Sequence, residues 1–343
     1  SPTTNMTTKL FCIGNPLLDI AAEVDQAFLD KYGVKLDNAI MAEEAHMPVF
    51  QDLKDNCKPL FVAGGATQNT ARVAQWQANE AGAVTYAGCI GNDEFGATME
   101  AAVKTEGLTT LYKKSDSATG TCAVLVKGGE RSLIANLSAA EKYTIDHTET
   151  APVQAAIKAA GIYYIAGFVL THSADSIMHV ANHACDNDKI MCMNAAAPFL
   201  FMVPPFLEAF KQVWPLLDIV FGNESEAAEM GKAFGFAETS VKEIAVKVQA
   251  MPKKGKRPRM VVFTQGSTST VVVDENGPVE YAVTKCEKLV DTNGAGDAFC
   301  GGFLAAKMQG KSTEDCVKCG HYCAGVVIQR SSCQYADAPR YAF

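Results

Sequence analysis

No uninterrupted apolar run in this sequence approaches the ~20 residues a helix needs to cross a bilayer, which excludes a helical membrane protein. Basic charge is also scarce. The 30 Lys and Arg against 38 Asp and Glu leave a net charge of -8, whereas a protein that grips nucleic acid presents a basic face. The one basic run, "PKKGKRPR" (252–259), is punctuated by Pro and Gly and reads as a solvated loop leading into the strand "MVVFTQG". The N-terminal stretch lacks a basic start followed by a long apolar run, so a cytoplasmic protein is expected; residues ahead of Met6 are set aside from the fold. No internal repeat or low-complexity tract suggests a solenoid or a linker. The 12 cysteines are an even number, but they are dispersed through apolar segments and read as reduced thiols.

What is there is an alternation. Short apolar runs, "KLFCIG", "AVTYAGCIG", "IYYIAGF", "IMCMNAA", "DIVFGN" and "MVVFTQG", alternate with helix-like stretches such as 66–79, 95–107 and 224–235. Buried strands with intervening helices predict a mostly parallel α/β sheet covered on both faces. Two regions break the rhythm. Residues 118–137 read as two strands around the turn "KGGE", and residues 15–62 as short mixed segments; together they predict a small accessory sheet. Residues 268–283 read as a further hairpin with "ENG" at its turn.

Four glycine-rich or acidic turns carry candidate chemistry. In "DTNGAGDAFCGGF" (291–303), the amides of Asn293, Gly294, Ala295 and Gly296 can converge at a helix N-terminus, an arrangement that binds phosphate. Asp297 lies there too. A first-turn Asp can be an ordinary helix cap, but that leaves the glycines around it unexplained. In "FVAGGATQNTARVAQW" (61–76), Gly64 and Gly65 permit close approach of a ligand, and Asn69 offers a donor and an acceptor to a sugar diol. Asp19, five residues past Gly14, can accept from two adjacent hydroxyls or be a loop acid. In "GNESEAAE" (222–229), Asn223 and Glu226 share a helical face. They suit either phosphate and magnesium-bound water or simple capping.

Two apparent motifs are set aside. "GKST" (310–313) lacks the earlier glycine of a phosphate loop, Ala305 standing in its place, and Gly310 reads as a helix C-cap. Cys316, Cys319 and Cys323 fall on one helical face and read as core, not zinc ligands; His179 and His183 read as surface or structural.

Taken in order, these motifs resemble the two signatures of the ribokinase-like (phosphofructokinase B type) carbohydrate kinase family. With "GNPLLDI", "RSLIANLSAA", "YIAGF", "NAAAPF", "FGNESEA" and "FTQG" the chain is similar, from about residue 10 to about residue 333, to the branch of that family that acts on adenosine. The resemblance implies a central, mostly parallel sheet flanked by helices in a large domain (1–17, 65–114 and 143–343). It also implies a small inserted β lid (18–64 and 115–142). It implies transfer of the ATP γ-phosphoryl group to the 5′-hydroxyl of adenosine by a monomer. A kinase for another nucleoside or for ribose, or a noncatalytic nucleoside-binding relative, is the alternative.

By the same resemblance Asp297 is the general base, and Asn293 to Gly296 form the anion hole. Arg131 meets phosphate charge. Asp19, Gly64, Gly65 and Asn69 hold the ribose, while Asn15, Leu17, Leu133, Ala135, Leu137, Phe168 and Phe199 line the adenosine pocket. Asn223, Glu226, Thr264, Gly266, Asn293 and His321 lie on the ATP side, with Glu226 reaching Mg2+ through water. The resemblance also allows a monovalent cation beside Asp291 and Thr292. Ala66 and Cys286 depart from the family pattern, standing where relatives carry Ser and Gln.

Overall fold

The computed structural model describes residues 7–36, 39–128, 130–286 and 288–343. Residues 1–6 and Gly129 of the "KGGE" turn lie outside the described residues. The strands are β1 (Leu10–Ile13), β2 (Leu17–Glu23), β3 (Ala39–Met41), β4 (Leu60–Gly64), β5 (Val84–Gly91), β6 (Thr109–Ser115), β7 (Thr121–Lys127), β8 (Glu130–Asn136), β9 (Ile162–Ala166), β10 (Ile190–Asn194), β11 (Ile219–Asn223), β12 (Met260–Gln265), β13 (Ser269–Asp274) and β14 (Gly277–Ala282). The α-helices are α1 (Gln26–Lys31), α2 (Val49–Asn56), α3 (Ala66–Ala78), α4 (Glu94–Thr105), α5 (Ile145–Thr148), α6 (Ala151–Ala159), α7 (Ala174–Asp186), α8 (Phe199–Met202), α9 (Pro204–Val213), α10 (Glu224–Ala233), α11 (Val241–Ala250), α12 (Ala295–Met308) and α13 (Thr313–Val327).

Nine strands form one sheet in the order β14-β13-β12-β11-β10-β9-β1-β5-β6. The seven from β12 to β6 are parallel, and the hairpin β13–β14 closes one edge antiparallel. The central strands read as continuous apolar runs because both faces are covered. Leu10 and Cys12 of β1 point into a cluster with Val73, Phe299, Phe303 and Cys319, under α3, α12 and α13. Phe11 and Ile13 point into the opposite cluster with Ile177, Phe210 and Val248, under α7, α9 and α11.

The five remaining strands form a separate sheet, β3-β8-β7-β2-β4. One face, with Ile20, Ala123, Leu125 and Ile134, packs on Leu29, Phe50 and Leu53 of α1 and α2. The other carries Leu17, Ala21, Cys122, Val124, Leu133 and Ala135. Strand alternation assigns the two sets, since β2 sends Ile20 and Ala22 one way and Leu17, Asp19 and Ala21 the other.

All twelve cysteines are free thiols. Cys316, Cys319 and Cys323 are fully buried on one face of α13, and the described residues contain no cluster suited to a metal ion. Among the described residues no helix is long and apolar enough to cross a membrane.

Candidate functional site

Parallel pairing decides where chemistry can gather. The register Ile13↔Ile165, Ile165↔Met193, Asn194↔Phe221 and Asn223↔Thr264 brings the carboxyl ends of β1, β9, β10, β11 and β12 to one edge of the large sheet. Open α/β sheets bind ligands at that edge. Asn15, Phe168, Asn223, Glu226 and Thr264 lie on or just past these strand ends.

Two helix N-termini meet there. Helix α12 starts after Gly294, whose φ of 77° is left-handed, and no side chain caps it. Asp297 therefore sits in the first turn without acting as the cap. Its Oδ2 instead accepts from Asn69 Nδ2 at 3.0 Å, across from α3. Withdrawal from water pushes the Asp297 carboxyl up to about 6, against the opposing hydrogen bond from Asn69. Of the four turn amides, Asn293 already donates to Asp291 Oδ1 at 2.9 Å and Ala295 to the Thr292 carbonyl at 3.2 Å. The amides of Gly294 and Gly296 have no acceptor among the described residues, which leaves them free to face an anion.

Helix α3 begins after Gly65, whose φ is 92°. A Cβ there would stand 2.1 Å from the Asn15 carbonyl oxygen, so only glycine fits. A Cβ on Gly64 would stand 2.5 Å from Asp19 Oδ1, so the bare backbone makes room for that carboxylate. Asp19 is 6% exposed. Burial pushes its carboxyl up to about 7; the Arg72 cation opposes the shift, and Asp297 and Asp291 add to it. Asp19, Asp291 and Asp297 thus share one electrostatic neighbourhood. Asn15 contributes a buried Oδ1 with no hydrogen-bond partner among the described residues.

Leu17, Leu133 and Ala135 line the apolar face of the small sheet, and Leu17 Cδ2 and the Leu137 carbonyl both close on Gly120. Phe168 and Phe199 face each other with ring centroids 6.3 Å apart and planes inclined by 33°. Phe199 is 40% exposed, an aromatic surface left for another ring.

Asn223 and Glu226 form a reciprocal capping box at the start of α10. Glu226 N–H donates to Asn223 Oδ1 at 2.9 Å, and Asn223 N–H donates to Glu226 Oε2 at 2.9 Å. Burial pushes Glu226 up to about 7, with Asp297 adding to the shift. Thr264 Oγ1 donates to the Gly222 carbonyl at 3.4 Å, and Gly266, with φ of 53°, turns the chain toward β13. His321, on α13, is tied to Thr270 at 2.8 Å and lies 5.5 Å from the Phe299 ring; burial lowers its proton affinity. Among the described residues no hydrogen bond joins it to the other candidate residues.

Arg131, on β8, pairs with Asp291 Oδ2 at 2.8 Å and lies 3.3 Å from Ser331 Oγ. Asp291 also accepts from the Ser332 amide at 2.8 Å. Both of its oxygens thus accept from donors that hold the turn. A cavity of about 520 Å3 opens at this end, lined by Ala21, Glu23, Val126, Arg131, Val290 and Ser331.

Sequence reasoning missed Arg72, and it named Asp291 beside a cation but not as the partner of Arg131. Arg72 lies in a polar run of α3 that looks like a solvated face, yet Thr67, Gln68, Asn69, Thr70, Arg72 and Gln75 are all buried. Each finds a partner: Thr67 Oγ1 accepts from the Ala166 amide at 3.1 Å, and Gln68 Nε2 donates to the Gly64 carbonyl at 2.8 Å. The only advance signal was that so many hydrogen-bonding side chains follow a glycine turn.

Residues 26–340 match the model of the pfkB family carbohydrate kinases. Adenosine kinase 2 of Arabidopsis thaliana is 46% identical over 334 residues, covering 96% of each chain. Among solved structures, Anopheles gambiae adenosine kinase in complex with P1,P4-di(adenosine-5) tetraphosphate superposes with a TM-score of 0.87 at 39% identity, covering 97% of this chain and 98% of that one. Adenosine kinase from Schistosoma mansoni in complex with adenosine and AMP gives a TM-score of 0.85 at 33% identity, covering 95% and 96%.

Proposed function

This chain belongs to the pfkB family of carbohydrate kinases, and we propose that within it the chain is an adenosine kinase, transferring the γ-phosphoryl group of ATP to the 5′-hydroxyl of adenosine in purine salvage. The observation that carries the reading is the Asp297 carboxylate, held by Asn69 instead of capping its helix, beside two free glycine amides.

The mechanism follows from that placement. Asp297 takes the 5′-hydroxyl proton as that oxygen bonds to the γ-phosphorus. The bond from the phosphorus to the β–γ bridging oxygen breaks, and ADP leaves with the electron pair. Phosphoryl transfer demands positioning and charge stabilisation more than covalent help from the protein. The Gly294 and Gly296 amides supply part of that charge stabilisation, and the Arg131 cation supplies more. Asp19 and Asn69 hold the ribose hydroxyls beside Gly64 and Gly65. The purine rests against Phe168 and Phe199 under Leu17, Leu133, Ala135 and Leu137, with the unpartnered Asn15 oxygen available to a donor.

Asn223, Glu226, Thr264, Gly266, Asn293 and His321 form the ATP side. Glu226 fits a hydrated Mg2+: a buried acid otherwise inclined to keep its proton near neutrality gains from a cation that favours its charged form. Bound there, Mg2+ would neutralise phosphate charge. No monovalent cation is assigned. Residues 18–64 and 115–142 act as a lid that excludes water from the donor. The twelve free thiols suit a reducing cytoplasm, and the enzyme works as a monomer.

ADP formation measured in parallel with adenosine, inosine, guanosine and ribose tests the reading. Preferential turnover of adenosine is expected. Equal turnover of ribose would shift the assignment to a sugar kinase, and no turnover of any acceptor would leave a noncatalytic relative.

A further inference from the structure

Arg72 touches neither of the glycine amides nor the aromatic pocket, yet it sits at the crossing of everything that holds the two site acids. Its side chain is 4% exposed. Nε and Nη2 grip both oxygens of Glu106 at 2.7 and 2.6 Å, a bidentate pair. Nη1 donates to the carbonyl of Ala63, the residue before Gly64, and lies 3.4 Å from Asn69 Oδ1. The guanidinium stands 5.5 Å from the Tyr335 ring, whose hydroxyl donates to Glu106 at 2.7 Å and which stacks on Trp76 at 4.8 Å.

The chemistry of the fork fixes an orientation. Guanidinium carries donors and no acceptor, so the Asn69 amide must turn its oxygen to Arg72. Its NH2 then faces Asp297, the direction observed. An amide turned the other way would aim an acceptor at a carboxylate. We propose that Arg72 is a positioning residue for phosphoryl transfer, which orients Asn69 toward Asp297 and keeps a cation behind Asp19. The inference rests on the adenosine kinase reading and deepens it.

The charged surroundings support the same role. Asp19, on β2, faces Arg72 from α3, Asp297 from α12, Asp291 from the loop before α12 and Cys122 from β7. Asp297 faces Asn69, with Glu226 on α10, Tyr164 on β9, Cys300 on α12 and Cys333 in the C-terminal segment. Among the described residues Arg72 is the cation that faces Asp19, held in place by its pair with Glu106. Loss of the Arg72 charge leaves Asp19 still harder to ionise.

The test compares wild type with Arg72→Lys, Arg72→Gln and the double variant Arg72→Gln/Glu106→Gln, which avoids a stranded Glu106 charge. Steady-state kinetics are run from about pH 5 to pH 9 alongside thermal melting. The double variant is expected to fold, to raise the adenosine KM about tenfold and to move the acid limb of kcat/KM to higher pH. Arg72→Lys is expected to keep the limb near its wild-type position and to lower kcat, since one ammonium cannot serve Glu106, Ala63 and Asn69 together. A folded double variant with an unmoved acid limb, or one whose only change is a lower melting temperature, overturns the proposal. An inactive wild type overturns the adenosine kinase reading instead, and the two failures are thereby told apart.

Discussion

Arg131 and Asp291 are joined at 2.8 Å across the gap between the two sheets. The guanidinium comes from β8 of the small sheet, and the carboxylate from the loop that leads into the glycine turn. Asp291 holds the turn as well, through the Asn293 and Ser332 amides. The pair therefore links the small sheet to the anion-facing backbone. Arg131→Ala is expected to lower kcat at least about tenfold with little change in adenosine affinity. Steady-state kinetics decide it; a raised adenosine KM with unchanged kcat would place Arg131 outside the transfer step.

Asp297→Asn separates a base from a structural acid. No side-chain cap is lost, because Asp297 makes none. The variant is expected to fold and to bind adenosine and ATP, yet to turn over at least ~100-fold more slowly. Its melting temperature at neutral pH is expected to equal or exceed that of wild type, since a reluctant buried charge is removed. Near-normal single-turnover transfer in this folded variant would undo the mechanism.

Stability and activity should respond to pH in opposite senses. Asp19 lies at about 7 and Asp297 at about 6, both above the ordinary carboxylate range. An acid raised in the folded state binds its proton more tightly there. Its contribution to stability is full below ~4 and is lost as pH climbs through the folded-state value. Activity needs the ionised forms and rises over the same interval. The melting temperature of ligand-free Asp19→Asn, relative to wild type, should therefore increase from about pH 4 to pH 8. A difference that stays constant over that interval would contradict the assigned environment.

Gly64→Ala isolates the acceptor side. The added Cβ would lie 2.5 Å from Asp19 Oδ1 and must displace it. A rise of about tenfold or more in adenosine KM is expected, with ATP KM unchanged, because the carboxylate's charged hydrogen bonds contribute ~1.5–3 kcal/mol each. Unaltered adenosine KM would detach Asp19 from the ribose.

The sheet was legible because its physics is local. A continuous apolar run such as "LFCI" has one stable destination, a strand covered on both faces, and the glycine before α3 announces a turn within a few residues. The hairpin β13–β14 declared itself through "ENG" in the same way. The site was legible only where one residue type serves one purpose, as with Asp297 among glycines. The pairings of Asp291 and Arg72 were hidden because their partners come from distant segments. Asp291 meets Arg131 and Ser332, and Arg72 meets Ala63, Glu106 and Tyr335, and no spacing encodes those meetings. The Asn223 amide oxygen and the Glu226 carboxylate were read as either caps or ATP-side ligands, and the capping box is present in full.

Only Gly65 separates the last residue of β4 from the first of α3. There is no slack at that crossing, so the two sheets are geared together there. A rotation of the small sheet must turn about the same residue that aims the first turn of α3 and its Asn69. The joint between the two sheets is thus also the turn that starts α3. The β13–β14 turn at Glu275 and Asn276 is exposed and carries no such joint. At Gly65 a single inserted residue would throw the gears out of mesh.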